Sequence, residues 1–125
     1  MITGIGVDLC EVSRMEKIIA DGRFPARYFS EEEQSYILSR GRMAAESAAG
    51  LFAAKEALVK ALGSGLSVPA WRDIRVLHDA QGAPYYALRG ENALPPGTRL
   101  HLSVSHDGGI AAAFCVAERA DEEQS

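Results

Sequence analysis

The segment 50–66, GLFAAKEALVKALGSGL, constrains the fold more than any other part of the sequence. Its aliphatic and aromatic residues recur with a period of 3.6, which predicts a helix with one apolar face. Gly63 follows the last apolar residue of that face, and glycine commonly ends helices at this position. We therefore expect a long helix at the centre of the core, ending at Gly63.

Three charged residues of this helix have unequal positions on its surface. Lys55 falls within the apolar arc, whereas Glu56 and Lys60 lie one turn apart along its edge. An ammonium on a core-facing stripe is costly unless it extends to water or meets an anion, so we expect a negative group near Lys55. A purely structural interpretation is a surface pair between Glu56 and Lys60 beside an extended Lys55.

Length and charge limit the domain organisation and the class of ligand. A chain of 125 residues with 47% hydrophobic content can form one core. Residues 118–123 contribute most of the net charge of −4, so the body is nearly neutral, which argues against nucleic-acid binding. We expect one domain at 1–118, followed by a disordered acidic tail at 119–125.

Cysteine spacing and hydropathy indicate where such a protein is found. Cys10 and Cys115 lie far apart in apolar segments, without the spacing of a zinc site, and both are interpreted as buried free thiols. The sequence contains no signal peptide and no run of 18 apolar residues. We therefore expect a cytoplasmic protein that does not associate with membranes.

The N-terminal segment combines a strand with a helix. Residues 2–10 alternate aliphatic with small or polar residues, which predicts a strand with Asp8 on the face opposite the aliphatic residues. An alternative role for Asp8 is to cap the following helix. Ser13 and Glu16 have the spacing of a capping box, which predicts a helix at 13–20.

Four basic residues lie on this helix and in the loop after it: Arg14, Lys17, Arg23 and Arg27. They can be a solvated face, or they can form a docking patch for an acidic partner. Charge alone does not distinguish these two interpretations.

A second helix precedes the long one. Ser30 and Glu33 repeat the capping-box spacing, and the helix they begin is expected to end near Gly41. The long helix is then expected to begin at Arg42 or Met43, with alanine-rich turns of high helix propensity.

The second half of the sequence predicts four strands. Residues 74–78 and 83–88 form a hairpin around an AspAlaGlnGly turn. Residues 100–105 and 110–117 are joined around AspGlyGly, and apolar residues on both faces of the last strand predict a central position. His106 is expected at the turn.

Two carboxylates and several cationic groups suggest phosphoryl chemistry. Asp8 on a strand and Glu56 on a helix can together hold a hard cation such as magnesium, with waters and substrate phosphates as the other ligands. Lys55, Lys60 and His106 are of the type that phosphates require. The sequence contains neither a Walker P-loop nor a GxGxxG motif that would identify the nucleotide site directly.

Three motifs in order carry a resemblance to a known family. They are GVDLCEVSR at 6–14, FAAKEALVKALGSG at 52–65 with its KExxxK core, and SVSH at 103–106. On these motifs the chain resembles the small bacterial holo-acyl-carrier-protein synthases of the 4′-phosphopantetheinyl transferase superfamily. The resemblance covers nearly the whole chain.

The resemblance implies a fold, an assembly and a reaction. The fold is a single α+β domain with a mainly antiparallel sheet wrapped around a long central helix, and the assembly is a homotrimer with shared active sites. The reaction is Mg²⁺-dependent transfer of the 4′-phosphopantetheine arm from coenzyme A to a serine of apo acyl carrier protein. It releases adenosine 3′,5′-bisphosphate and belongs to fatty acid biosynthesis.

The resemblance also implies roles for individual residues. Asp8 and Glu56 are expected to bind magnesium and, with Lys60, to carry catalysis. Coenzyme A phosphates are expected to contact four residues: Lys55, Lys60, Ser105 and His106. The acidic carrier is expected to dock on Arg14, with Arg23 and Arg27 as further contacts.

One residue departs from the family, and two other functions remain to be distinguished. Many relatives have an arginine where this chain has Leu51, so one phosphate or interface contact can be absent here. One alternative is a non-catalytic module that binds a phosphate ligand, in which Asp8 and Glu56 are structural caps. The other is a magnesium-dependent pyrophosphate hydrolase, although the glutamate-rich helix typical of that class is missing.

Overall fold

The structure, a computed structural model, describes residues 1–22, 26–63, 70–90, 94 and 96–120. Five strands and three α-helices occur in this part of the chain: β1 (Ile2–Glu11), α1 (Val12–Ala20), α2 (Glu31–Ser39), α3 (Ala44–Leu62), β2 (Ile74–His78), β3 (Pro84–Leu88), β4 (Thr98–Asp107) and β5 (Ile110–Arg119). Two short 3₁₀ turns, Gly41–Met43 and Trp71–Asp73, precede α3 and β2. The predicted α+β class, with an antiparallel sheet around a long helix, is confirmed.

Helix α3 lies at the centre of the core, as predicted, and its small residues allow β1 to approach very closely. A Cβ atom on Gly6 would lie 1.9 Å from the carbonyl oxygen of Ala57, and one on Gly4 would lie 1.8 Å from that of Ala61. Glycine is therefore required at both positions of the strand. The helix ends at Gly63, whose φ of +53° is a conformation that favours glycine.

Strand β5 is the middle strand of a three-stranded antiparallel sheet of order β1-β5-β4, which confirms the prediction from its composition. Its inward-facing residues are alanines and Cys115, and they are buried against α3. Larger side chains occupy the other face of the sheet, because the helix backbone lies too close to the inner face. Cys10 and Cys115 are both free and buried, as predicted.

The two predicted capping boxes have different outcomes. At α2 the Ser30 side chain accepts a hydrogen bond from the Glu33 amide, and the Glu33 carboxylate accepts one from the Ser30 amide. At α1 the prediction from Ser13 is wrong, because the helix already begins at Val12 and no side chain caps it. The Val12 amide instead donates to the Gly109 carbonyl in the β4–β5 turn, which leads the chain directly from strand into helix.

Helix α3 begins one or two residues later than predicted. Gly41 has a φ of +57°, and residues Gly41–Met43 form a 3₁₀ turn before the α-helix begins at Ala44. The break near Gly41 is therefore confirmed, while the start at Arg42 or Met43 is not.

The hairpin of β2 and β3 forms a separate two-stranded sheet, in register from Ile74 opposite Leu88 to His78 opposite Pro84. The Asp79 side chain organises the turn by accepting hydrogen bonds from the amides of Gln81 and Ala83.

At the other end of the chain β5 extends to Arg119, and the Ala120 amide donates to the Gly97 carbonyl. Residues 121–125 of the predicted tail lie outside the described residues. Among the residues that the structure describes, no helix is long and apolar enough to cross a membrane.

Candidate active site

Asp8 and Lys60 form an ion pair where β1 crosses the C-terminal half of α3. The Lys60 ammonium lies 2.8 Å from Asp8 Oδ1 and also donates to the Val7 carbonyl, at 3.1 Å. The Asp8 side chain is 19% exposed and that of Lys60 is 55% exposed. Gly4 packs on the helix backbone at Ala61 and Gly6 packs on it at Ala57, so β1 runs toward the N-terminal end of α3 as it approaches Asp8. The Lys60 side chain reaches Asp8 because helical side chains point toward the N-terminus of their helix.

Glu56 lies one turn before Lys60 and accepts a hydrogen bond from a tyrosine. The Tyr28 hydroxyl donates to Glu56 Oε1 at 3.4 Å. Burial raises the pKa of Tyr28, and the charges of Glu56 and then of Asp8 raise it further. Asp8 is bonded to Lys60, which follows Glu56 by one helical turn, so the two carboxylates lie on the same part of α3. In the described residues Lys60 pairs with Asp8, and the surface pair with Glu56 is not formed.

The two carboxylates suit a magnesium ion bound mainly by its substrate. Each has one oxygen engaged, Asp8 Oδ1 by Lys60 and Glu56 Oε1 by Tyr28, and the second oxygen accepts no hydrogen bond from the described residues. Over the same residues no group of three or more His, Cys, Asp or Glu side chains forms a complete metal cage. Magnesium commonly binds through one or two carboxylates, with waters and phosphates as its other ligands. Asp8 and Glu56 therefore fit this ion.

Lys55 has a different environment from the one expected of a coenzyme A ligand. Its side chain is 0% exposed, and its ammonium donates to Glu33 Oε1 at 2.7 Å and to the carbonyls of Tyr28 and Trp71, both at 2.6 Å. Burial lowers the pKa of Lys55, an effect that the Glu33 carboxylate opposes. An ammonium has three protons, and all three are used inside the protein. The expected anion near Lys55 is therefore confirmed, whereas no proton of Lys55 remains for a phosphate.

Ser105 and His106 lie on the opposite edge of the sheet from Asp8. Both belong to β4, whereas Asp8 belongs to β1, and β5 separates the two strands. Neighbouring strands are about 4.8 Å apart, so the separation across β5 is about 10 Å. The expectation that His106 lies at the turn is wrong, because the turn is formed by the next glycines, at 108 and 109. One protomer thus does not bring these two residues to Asp8.

A cavity of about 220 Å³ lies between α2, α3 and the end of β4. His106 Nδ1 is 3.5 Å from Glu46 Oε2, and that oxygen is buried without a hydrogen-bond partner in the described residues. Leu51, where the family resemblance leads us to expect arginine, is 3% exposed and lines the same cavity. Arg40, at the C-terminal end of α2, also lines this cavity.

One of the basic residues expected to dock a carrier, Arg14, is connected to Glu56 through two aromatic rings. Arg14 is exposed on α1, and its guanidinium lies 4.8 Å from the centre of the Phe52 ring. Phe52 in turn stacks on Tyr28, the residue that contacts Glu56. Arg27 is exposed beside Tyr28, while Arg23 lies outside the described residues.

Sequence reasoning missed the roles of Tyr28 and Glu33. The capping box predicted that Glu33 accepts a hydrogen bond from the Ser30 amide. The sequence also predicted an anion near Lys55, but it did not identify that anion as Glu33. Tyr28 had no signal at all, because its contact with Glu56 depends on how the turn before α2 packs on α3.

Fold and site together define a class of protein: an antiparallel sheet on a long helix, with a strand carboxylate, a helix carboxylate and a lysine suited to cation-dependent phosphoryl transfer. Comparison with known proteins gives the family. The model of the 4′-phosphopantetheinyl transferase superfamily matches residues 4–115, and the chain belongs to this superfamily.

Similar proteins have names and structures consistent with that family. The chain is 44% identical over 122 residues to the holo-[acyl-carrier-protein] synthase of Treponema denticola, covering 94% of this chain and 99% of that protein. The holo-(acyl-carrier-protein) synthase of Bacillus anthracis, solved in complex with CoA (3′,5′-ADP), is 35% identical with a TM-score of 0.77, over 96% of this chain and 99% of that one. The Chronobacterium ammoniagenes ACPS-CoA complex is 27% identical with a TM-score of 0.80, over 97% of this chain and 99% of that one.

Proposed function

We propose that the chain is a holo-acyl-carrier-protein synthase. It transfers the 4′-phosphopantetheine arm of coenzyme A to a serine of apo acyl carrier protein and releases adenosine 3′,5′-bisphosphate. Relatives over nearly the full length carry this name, and two similar structures hold coenzyme A or its 3′,5′-ADP part. The observation that carries the proposal is the ion pair of Asp8 with Lys60 where β1 crosses α3, one helical turn from Glu56.

Asp8 and Glu56 would hold the magnesium ion through the oxygens that Lys60 and Tyr28 leave unused. When bound, this ion supplies positive charge that offsets the negative charge of the transferring phosphoryl group. Two half-buried carboxylates on rigid elements are pre-positioned, so little reorganisation is needed when the substrate arrives.

Lys60 would bind a phosphate oxygen and assist the leaving group. Two protons of its ammonium are directed at Asp8 and at the Val7 carbonyl, and the third remains for a ligand. The side chain is 55% exposed, so it can reach a phosphate without unfolding part of the site. Asp8 thus has two tasks, since it binds the cation and orients the lysine.

The carrier would dock on the basic surface beside the site. Arg14 and Arg27 are exposed close to Tyr28, so an acidic partner held there presents its serine to the phosphoryl group. With Arg14→Glu we expect the carrier concentration needed for half-maximal rate to rise far more than the coenzyme A concentration. Equal increases for both substrates would contradict docking at Arg14.

A homotrimer with shared sites would use the outer face of the three-stranded sheet. Ile5, Val7, Leu9 and Phe114 are each about half exposed on this face, at 57%, 49%, 64% and 47%. An apolar patch of this kind indicates a contact with another protein, here a second copy of the chain. Assembly would also bring Ser105 and His106 of one copy to the coenzyme A bound by another, which a single protomer does not do.

Co-expression of two inactive variants tests whether sites are shared. Lys60→Met and His106→Ala alter different sides of the proposed shared site, so mixed trimers contain some sites in which both residues are intact. Recovery of transfer in the mixed protein, above either variant alone, supports shared sites. Activity no higher than the mean of the two variants contradicts them.

The mass of an apo carrier protein, measured after incubation with coenzyme A and Mg²⁺, tests the function itself. A gain equal to one phosphopantetheine arm supports the transferase. Release of adenosine 3′,5′-bisphosphate without a modified carrier supports the hydrolase, and coenzyme A binding without products supports the binding module. Asp8→Asn and Glu56→Gln are expected to abolish the gain while both variants remain folded, because a metal ligand contributes little to the metal-free core.

A further inference from the structure

We infer that Tyr28 is a positioning residue for Glu56: its hydroxyl holds one carboxylate oxygen so that the other is directed at the cation. The inference rests on the proposed function, because it assigns Tyr28 a task only if Glu56 binds a metal ion. It depends on the Tyr28 contacts described above and on two further features, the aromatic stack and the buried ammonium of Lys55.

The hydroxyl distinguishes the two oxygens of the carboxylate. An ionised carboxylate only accepts hydrogen bonds, so at the Tyr28–Glu56 contact of 3.4 Å the phenol is the donor. Oε1 is thereby engaged, while Oε2 has no partner in the part of the chain that the structure describes. The free side chain of a glutamate has several rotamers, and fixing one of them before the cation arrives reduces the entropy lost on binding.

Packing prevents the Tyr28 ring from moving away. Phe52 stacks on the ring with centres 4.8 Å apart, and Trp71 also stacks on it, at 4.9 Å. Phe29 contacts the same ring edge-on at 5.2 Å. The hydroxyl therefore has a defined position relative to α3, which carries both Phe52 and Glu56.

One buried ammonium holds the backbone of two residues of this stack. Lys55 Nζ donates to the carbonyl of Tyr28 and to the carbonyl of Trp71, each at 2.6 Å. Its third bond is to Glu33, which also accepts from the Val76 amide at 3.0 Å and so connects the site to β2. Lys55 directly precedes Glu56 in α3, so the residue that fixes the tyrosine and the residue that the tyrosine orients share one helical turn.

Outer partners of this kind commonly determine how well a metal ligand works. Loss of one typically weakens metal affinity or activity by about 10-fold to 100-fold. The Tyr28–Glu56 bond is long for an O–H···O bond, so we expect an effect at the lower end, about tenfold. The KM for the carrier should not change, because the basic docking residues are untouched.

Tyr28→Phe removes the oxygen and keeps the stacked ring, and Tyr86→Phe is its matched control. Tyr86 also donates a hydroxyl to α3, at 2.6 Å from the Ala54 carbonyl, but that carbonyl is no part of the site. Both variants lose one partly buried hydrogen bond, and the bond lost in Tyr86→Phe is the shorter one, so the control loses at least as much stability. Only Tyr28→Phe should weaken Mn²⁺ binding, measured by electron paramagnetic resonance on the full chain with coenzyme A bound and no carrier present, and only it should raise the Mg²⁺ concentration for half-maximal transfer.

Three outcomes are distinguishable. Mn²⁺ binding about tenfold weaker in Tyr28→Phe alone, with an unchanged carrier KM, supports the inference. An unchanged Mn²⁺ affinity, or equal weakening in both variants, overturns it while wild-type transfer continues. Absence of Mg²⁺-dependent transfer in the wild type overturns the proposed function instead, whatever the variants do.

Discussion

Replacing Lys55 with methionine tests the most unusual feature of the core. The substitution keeps a long flexible side chain at the position but removes the ammonium that bonds to Glu33 and to the carbonyls of Tyr28 and Trp71. The Glu33 carboxylate is then left in a site with 0% exposure, without its positive partner. Two carbonyl oxygens lose their donor at the same time.

The expected loss of stability is large. Removing one partner of a buried ion pair typically costs about 3–5 kcal/mol, because the remaining charge is neither hydrated nor paired. For a chain of 125 residues the entropy of unfolding is roughly 0.26 kcal/mol per degree, so a loss of about 4 kcal/mol lowers the melting temperature by about 15 °C. Such a loss is a considerable fraction of the total stability of a domain of this size.

Lys60→Met is the matched control, since it places the same substitution on the same helix. The pair of Lys60 with Asp8 is largely exposed, and exposed ion pairs contribute about 0–1 kcal/mol. Urea unfolding of the wild type and both variants measures the difference in the free energy of unfolding. All three are compared at one protein concentration, because the stability of an assembly depends on concentration. Transfer activity should fall in Lys60→Met although its stability is preserved. A Lys55→Met protein within about 1 kcal/mol of the wild type, or equal losses in the two variants, would refute the account of the buried pair.

Three smaller predictions follow from single contacts. Gly6→Ala should reduce both stability and transfer, because its Cβ would lie 1.9 Å from the Ala57 carbonyl oxygen and displace the strand that carries Asp8. Urea unfolding and the carrier mass assay measure the two effects. Normal values of both would contradict this close approach. Ser30→Ala should lower the free energy of unfolding in urea by about 1 kcal/mol, whereas Ser13→Ala should leave it almost unchanged. Equal losses in the two variants would show that Ser13 does cap α1. Burial and the charge of Arg40 lower the pKa of His78, so the unfolded chain binds this proton first and stability falls as the pH decreases from above 6.5 through the lowered pKa. His78→Phe, which keeps a ring against Tyr36, should make the melting temperature less sensitive to acid as the pH is lowered below about 6.5. An unchanged pH dependence would exclude this histidine as the cause.

The periodic and local signals in the sequence predicted the fold correctly. The 3.6 period of the central segment and the box at Ser30 depend on interactions within one element, and both are present in the structure. The prediction at Ser13 failed because a contact distant in sequence, the bond from the Val12 amide to the Gly109 carbonyl, decides where α1 begins. His106 was misplaced for a related reason, since pairing with β5 continues the strand as far as the glycine turn.

The site was predictable only in part. Its acidic residues and Lys60 have a recognisable pattern, and in the structure Asp8 is bonded to Lys60, one helical turn after Glu56. Lys55 and Lys60 are both lysines, five positions apart on α3, yet Lys55 faces a buried glutamate and Lys60 is largely exposed. This difference depends on how α2 packs on α3. Tyr28 could not have been identified, because its role comes entirely from that packing.

The position of a bound cation tests the central claim most directly. Crystals grown with coenzyme A and Mn²⁺ give an anomalous diffraction signal that locates the ion independently of any assumption about its ligands. The account predicts one peak in contact with both Asp8 and Glu56, with Lys60 on the neighbouring phosphate. A peak that touches only one of the two carboxylates, or that lies elsewhere on the protein, would contradict it.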